Sequence, residues 1–417
     1  MTQETHGARQ QDQRKGQGEG APERRDGGDG EVSRWGLTGR SLHVAEALAL
    51  LALVWVLITA VSAIGDGFDA AVGGQAEELF SFATNPFVGL AIGILATVLT
   101  QSSSTTTSIV VGLVAGGLPI SVAVPVLIGA NVGTTMTNTI VSFGAARRDD
   151  DFRRSFSAAS VHDAFNLLAI AVILPLELLF GILQRASDAL SEALSGTEGG
   201  VLPAVFGGIG EVVSVITEPG NDLLTALTSP LGSVAQGIVL VAVGVVLILL
   251  SVTFIARLLK TVMTGRAERL FDRSVGRGPV AGLAAGALLT LMVQSSSTAT
   301  SLAVPMAAAD KMSLRQVYPY TIGANVGTTA TAVIAAFAFT GAEATLALQA
   351  ALVHLLYNVL ALLLIFVNPL LREVPLRLAS WLGEMAARSR VFVVVWVLSV
   401  FVLVPGALVL VSDAVGG

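Results

Sequence analysis

Thr100-Gln101-Ser102-Ser103-Ser104-Thr105-Thr106-Thr107-Ser108 places eight hydroxyls and one amide inside an apolar segment, with Val88 to Leu99 before it and Ile109 to Val114 after it. A straight helix through this text would put the cluster near the middle of a bilayer, where polar groups without partners are costly. The text returns at Leu291-Met292-Val293-Gln294-Ser295-Ser296-Ser297-Thr298-Ala299-Thr300-Ser301. An expensive cluster written twice reads as a site, and the chain as two half-shells built around it.

The surroundings bound what such a site can be. Of 417 residues 53% are hydrophobic and 13% charged, at a mean hydropathy of +0.75, too apolar for an ordinary soluble protein. The composition predicts an all-α polytopic protein of the lipid bilayer. A net charge of -6 gives no argument for a nucleic-acid partner, and the absence of cysteine excludes disulfides, thiolate nucleophiles and cysteine metal sites.

Along the chain, residues 1–41 read as a disordered cytoplasmic tail, too poor in apolar side chains to offset ordering entropy. It lacks the apolar core and small-residue cleavage site of a signal peptide, so Leu42 to Ile64 is expected to stay as a spanning helix. Residues 42–182 form a first transmembrane repeat with a broken re-entrant hairpin at about 86–118. Within Ser121 to Phe143, the glycines of Gly129-Ala130-Asn131-Val132-Gly133-Thr134-Thr135 are expected to unwind the helix and free carbonyls as ligands. Arg147, Arg148, Arg153 and Arg154 crowd a short loop and place it in the cytoplasm. The next helix carries His162-Asp163-Ala164-Phe165-Asn166. Residues 183–232 read as an extracellular or periplasmic loop. Residues 233–370 form a second repeat, with a hairpin at about 279–309, Gly323-Ala324-Asn325-Val326-Gly327-Thr328-Thr329, and His354-Leu355-Leu356-Tyr357-Asn358. Residues 371–417 hold an amphipathic segment and a last transmembrane helix.

Gln101 and Gln294, Asn131 and Asn325, and His162 and His354 lie 193, 194 and 192 residues apart. With the N-terminus cytoplasmic, counting crossings makes the first hairpin open outward and the second inward. The repeats are then inverted, an arrangement that places substrate near the midplane between broken helices.

Serine-rich breaks offer hydroxyls and free N–H groups where the helix dipole favours an anion, but these bring no Lys or Arg. A co-bound alkali cation would supply the missing charge. Thr hydroxyls, amide oxygens and freed carbonyls are the hard ligands Na⁺ prefers; Asn131, Thr134, Asn325, Thr328 and Thr331 qualify by residue type and spacing. Asp163, a carboxylate at membrane depth, reads as a cation ligand or proton site, or else as a structural partner of Arg153 or Arg154. His162 and His354 read as helix-packing hydrogen-bond partners rather than metal ligands. No transition metal and no cofactor is implied.

Gln-Ser-Ser-Ser in two copies, each followed by Gly-Ala-Asn-Val-Gly-Thr-Thr, together with Asp151-Phe152-Arg153-Arg154-Ser155-Phe156 and Val161-His162-Asp163-Ala164-Phe165-Asn166, resembles the type II sodium-dependent phosphate cotransporters over about residues 85–180 and 280–370. The resemblance implies that phosphate falls to Gln101, Ser102, Ser103, Ser104, Ser295, Ser296 and Ser297, and one sodium to Gln294, Ser295, Thr328 and Thr331. It implies an extra sodium and net charge movement through Asp163. The expected function is a plasma-membrane symporter driving inorganic phosphate uptake with Na⁺ influx by alternating access, compatible with a homo-oligomer. The 183–232 segment lacks the cysteines that cross-link this loop in animal members. The rival readings are a carrier or sensor for arsenate or sulfate and an intramembrane hydrolase; adjacency of His162 and Asp163 on a helix, about 100° apart, argues against a relay between them.

Overall fold

A computed structural model of the chain describes residues 40–72, 85–145, 147–195, 201–274 and 277–416. The expected tail lies outside them except for Arg40 and Ser41. The chain falls into two compact units, Met1–Ala47 and Leu48–Gly417. In the first, the described residues form helical turns in which His43 Nδ1 lies 3.3 Å from Glu46 Oε2.

Among the described residues every element is helical. In order they are α1 (Arg40–Val72), α2 (Pro86–Thr100), α3 (Ser103–Ala115), α4 (Ile120–Gly133), α5 (Met136–Ser142), α6 (Asp149–Phe180), α7 (Ile182–Ser195), α8 (Val201–Thr228) and α9 (Ser233–Ser274). Then come α10 (Pro279–Val293), α11 (Ser296–Ala308), α12 (Leu314–Ala336), α13 (Gly341–Ala361), α14 (Glu373–Arg388), α15 (Arg390–Leu398) and α16 (Val404–Gly416). Among the described residues six stretches are long and apolar enough to cross a membrane: 43–72, 120–145, 149–180, 233–262, 341–367 and 390–411. Large apolar side chains stay exposed along α9 (Val234, Ile238, Val246, Leu250, Phe254) and α15 (Val391, Val394, Val395, Leu398), surfaces suited to lipid.

Each broken hairpin is two short helices met at a sharp turn. Pro86 and Pro279 open α2 and α10 at the first position, where the missing N–H costs nothing. α2 ends at Gln101 and α10 at Gln294, both left-handed (φ 54° and 53°). Ser102 and Ser295 then stand extended and cap the following helix, accepting the N–H of Thr105 and Thr298 at 3.2 Å.

The Gly-Asn-Gly segments do not unwind. α12 runs unbroken through Gly323 to Thr329, and α4 persists to Gly133, breaking only at Thr134 and Thr135. Their glycines serve close crossing instead. A Cβ at Gly129 would collide with the Leu90 carbonyl, and one at Gly323 with the Leu283 carbonyl; reciprocally, Gly93 meets the Val126 carbonyl and Gly286 the Tyr320 carbonyl. These pairs bring the backbones of α2 and α4, and of α10 and α12, into direct contact, so the ladder of each helix is braced rather than opened.

The 183–232 segment is also not a loop, because α7 and α8 occupy most of it. Gly181 (φ 59°) ends α6, and Glu177 turns its carboxylate onto the N-terminus of α7, accepting Leu183 N–H at 2.6 Å and Gln184 N–H at 3.3 Å. The amphipathic C-terminal segment is α14, which lies along α6 so closely that a Cβ at Gly383 would collide with Ser157 Oγ and come within 2.7 Å of the Arg153 carbonyl. Leu382 and Ala386 join Phe152, Phe156 and Val393 in a small core of their own.

Candidate functional site

The hydroxyls of the two serine clusters divide into those the protein uses and those it leaves. In the first copy the threonines close locally: Thr105 Oγ1 donates to Ser102 Oγ at 2.9 Å, Thr107 Oγ1 to Ser103 O at 2.7 Å, and Thr97 Oγ1 to Thr106 Oγ1 at 3.0 Å. In the second, Ser295 Oγ lies 3.0 Å from Thr298 Oγ1, and Thr300 Oγ1 lies 2.8 Å from both Ser296 O and Asn138 Oδ1. The hydroxyls of Ser103, Ser104, Ser296 and Ser297 take no hydrogen bond from the described residues, though Ser103, Ser104 and Ser296 are buried. Each pair occupies the first two positions of its half-helix, where helix geometry also leaves the N–H groups without an intrahelical acceptor. Two N-termini thus present the same four free donors each, at the positive end of the helix dipole.

The glutamines beside them are equally matched. Gln101 Nε2 donates to Val98 O at 2.7 Å, and its Oε1 accepts Thr137 Oγ1 at 2.9 Å. Gln294 Nε2 donates to Leu291 O at 2.8 Å, and its Oε1 accepts Thr331 Oγ1 at 2.8 Å. The structure therefore brings Gln294 and Thr331 together. Thr328, one turn earlier, donates to Ala324 O at 2.9 Å, as Thr134 does to Ala130 O at 3.2 Å; both keep their lone pairs.

Asn131 and Asn325 do something else. The Asn325 side chain accepts His162 Nε2–H at 2.6 Å and donates to Asn166 Oδ1 at 2.9 Å. The Asn131 side chain accepts His354 Nε2–H at 3.2 Å and donates to Asn358 Oδ1 at 3.0 Å. Each asparagine thus bonds the histidine and asparagine of the opposite repeat, with one acceptor and one donor position of each amide used in this interlock. Asn166 Nδ2 donates to Asn131 O at 3.1 Å, joining the two arms. Nε2 donates in both histidines, and in His162 the Nδ1 accepts from Asn138 Nδ2, which fixes that ring as the Nε2–H tautomer.

Asp163 is 1% exposed and forms no ion pair: Arg154 bonds Asp151 Oδ1 at 2.8 Å and Ala308 O at 3.1 Å instead. Thr135 and Trp396 stand beside the carboxylate, yet neither of its oxygens, nor the Trp396 indole nitrogen, closes a hydrogen bond. Trp396, from the C-terminal helix, carries no sequence signal of this role. Asn138 and Thr300, which join His162 to α11, are legible only as polar residues in apolar helices.

These doubled features lie within two stretches, 56–196 and 247–370, that match the model of the Na+/Pi-cotransporter family. The chain belongs to that family. It is a family of transporters, not enzymes, and the hydrolase reading falls with it; His162 is tied to Asn325 and Asn138, not to Asp163. Sodium-dependent phosphate transport protein 2A of Rattus norvegicus is 30% identical over 427 residues, 85% of this chain and 66% of that one. The 2B proteins of Bos taurus and Homo sapiens are 30% and 29% identical over 452 residues, 87% of this chain and 64% of theirs. The chain spans just under two thirds of the length of these relatives. No solved structure matches it. Both copies of every cotransporter motif, from Gln101 to Asn166 and from Gln294 to Asn358, fall inside the matched stretches.

Proposed function

We infer that this chain is a secondary symporter that couples Na⁺ influx to uptake of inorganic phosphate, with no cofactor beyond the coupling ion. The observation that carries this reading is the pair of half-helix N-termini whose serine hydroxyls and N–H groups lack protein partners. Phosphate is the ligand whose oxygens would take up that many donors. The anion would rest on Ser103, Ser104, Ser296 and Ser297, with Gln101, Ser102 and Ser295 at the rim. Sodium would replace the Thr331 hydroxyl hydrogen on Gln294 Oε1, with Thr328 and Ser295 completing the oxygen set and Thr134 its counterpart in the first repeat. The two repeats are read as inverted and as rocking about the asparagine–histidine interlock in a cell membrane, N-terminus inside. The relatives' names, which specify sodium and phosphate, support the choice of both ions.

Asp163 supports a further step. A buried carboxylate without partners is a place for one more sodium, and its charge would make transport electrogenic. Radiolabelled phosphate uptake into proteoliposomes should require an inward Na⁺ gradient, and uptake indifferent to Na⁺ would sink the coupling. Arsenate and sulfate competition in the same assay separates phosphate from the other oxyanions.

A further inference from the structure

The interlock is duplicated, but one of its arms goes further than the other. His162 Nδ1 accepts the amide of Asn138 at 3.2 Å. Asn138 Oδ1 and Ser296 O each lie 2.8 Å from Thr300 Oγ1 and share its single hydrogen. A continuous buried chain thus runs from the first residue of half-helix α11 to the imidazole next to Asp163. In the second arm the chain is cut. The position 194 residues after Asn138 is Ala332, and His354 Nδ1 is buried with no partner. Thr107, which answers Thr300, turns only to Ser103 O at 2.7 Å. The break in symmetry is therefore one amide.

We propose that Asn138 is a positioning residue through which occupancy of the α11 half-site and the state of the His162-Asp163 segment sense one another. This rests on the reading of the α11 N-terminus as half of the phosphate site. A ligand that draws Ser296 and Ser297 toward itself shifts the first turn of α11. Thr300, one turn on, carries that shift to Asn138, whose amide can follow only by moving His162 and with it the turn of α6 that holds Asp163. Half-helix α3 has no such side-chain route, so phosphate contact made from the first hairpin leaves the second arm undisturbed. One hairpin thereby reports on the anion, and the other only holds it.

The test measures half-saturating Na⁺ for phosphate uptake in proteoliposomes at low and at saturating phosphate; the ratio is the coupling factor. Asn138→Ala and Thr300→Val should each lower that factor about fivefold, the scale of one buried hydrogen bond. The double variant should lower it no further, because both changes cut one chain. Thr300→Ser, which keeps the hydroxyl, should match the natural protein. Asn138→Ala only gives the first arm what the second already has at Ala332, so folding is expected; if it fails, the comparison of Thr300→Val with Thr300→Ser decides. An unchanged factor alongside a lowered melting temperature would make the chain merely structural and overturn the proposal, as would additive losses. A natural protein whose uptake ignores Na⁺ would instead overturn the functional reading and the proposal together.

Discussion

Asp163 shows what a single residue can disclose. A carboxylate 1% exposed with both oxygens unpartnered destabilises the protein that carries it, unless a ligand repays the cost. Asp163→Asn keeps the shape and removes the charge. In Na⁺-free buffer it should raise stability by about 1–3 kcal/mol, read as a higher melting temperature, while abolishing phosphate-induced current. A lower melting temperature with current intact would show the carboxylate to be structural. Such an acid is legible in sequence because no other Asp, Glu, Lys or Arg lies between Arg154 and Glu177 of its helix. The asparagines are less so: residue type marks Asn131 and Asn325 as oxygen ligands, but only the fold reveals that His354, Asn358, His162 and Asn166 bond to them. Hydrogen-bonding capacity is a property of the residue; whether it is already used is a property of its neighbours.

At the scale of elements, the repeated motif separates into two devices. The serine clusters break helices, as their polarity at membrane depth demands, and both breaks fall where the text predicts them. The glycines, four residues apart on each partner (Gly89 and Gly93, Gly129 and Gly133, Gly282 and Gly286, Gly323 and Gly327), set the distance between helices instead. Intrinsic propensity reads a glycine as a weak point, and a backbone facing it at contact distance reverses that reading. Gly286→Ala would drive a methyl into the Tyr320 carbonyl and should cost about 1–3 kcal/mol or more, with Gly93→Ala behaving alike at Val126. Thermal unfolding in detergent checks this, and a neutral result would refute the contact. α7 was hidden for another reason. Its buried residues Leu183, Ser187 and Ser191 recur every four positions, but two of the three are serines, so a helical face looks like polar loop composition.

For the whole molecule, the C-terminal elements are fastened to the rest of the helical body by charges near the surface. Arg315 grips both oxygens of Glu373 at 2.8 Å, and Arg390 bonds Asp149 at 2.8 Å while lying 3.8 Å over the Phe152 ring. The Arg315 guanidinium holds the Glu373 carboxyl below the usual carboxylate range. This link is therefore complete above the ordinary carboxylate pKa and is lost as pH falls through the lowered one. Melting temperature should show an acid step that Glu373→Gln lacks; identical pH profiles would dismiss the link.

The interlock also has a consequence for how the protein is made. Asn131, Asn138, His162 and Asn166 are all synthesised before residue 233, yet the side chains that answer them, Thr300, Asn325, His354 and Asn358, belong to the other half. A nascent first half can close only the Asn138–His162 and Asn166–Asn131 bonds of its polar centre, so the rest of it is expected to wait in the membrane for its complement. Residues 1–232 expressed alone should be degraded or aggregate, and co-expression with residues 233–417 should restore both; a stable lone half would show that the centre closes without its partner. The two halves resemble each other in sequence, and the expectation is that neither matures without the other.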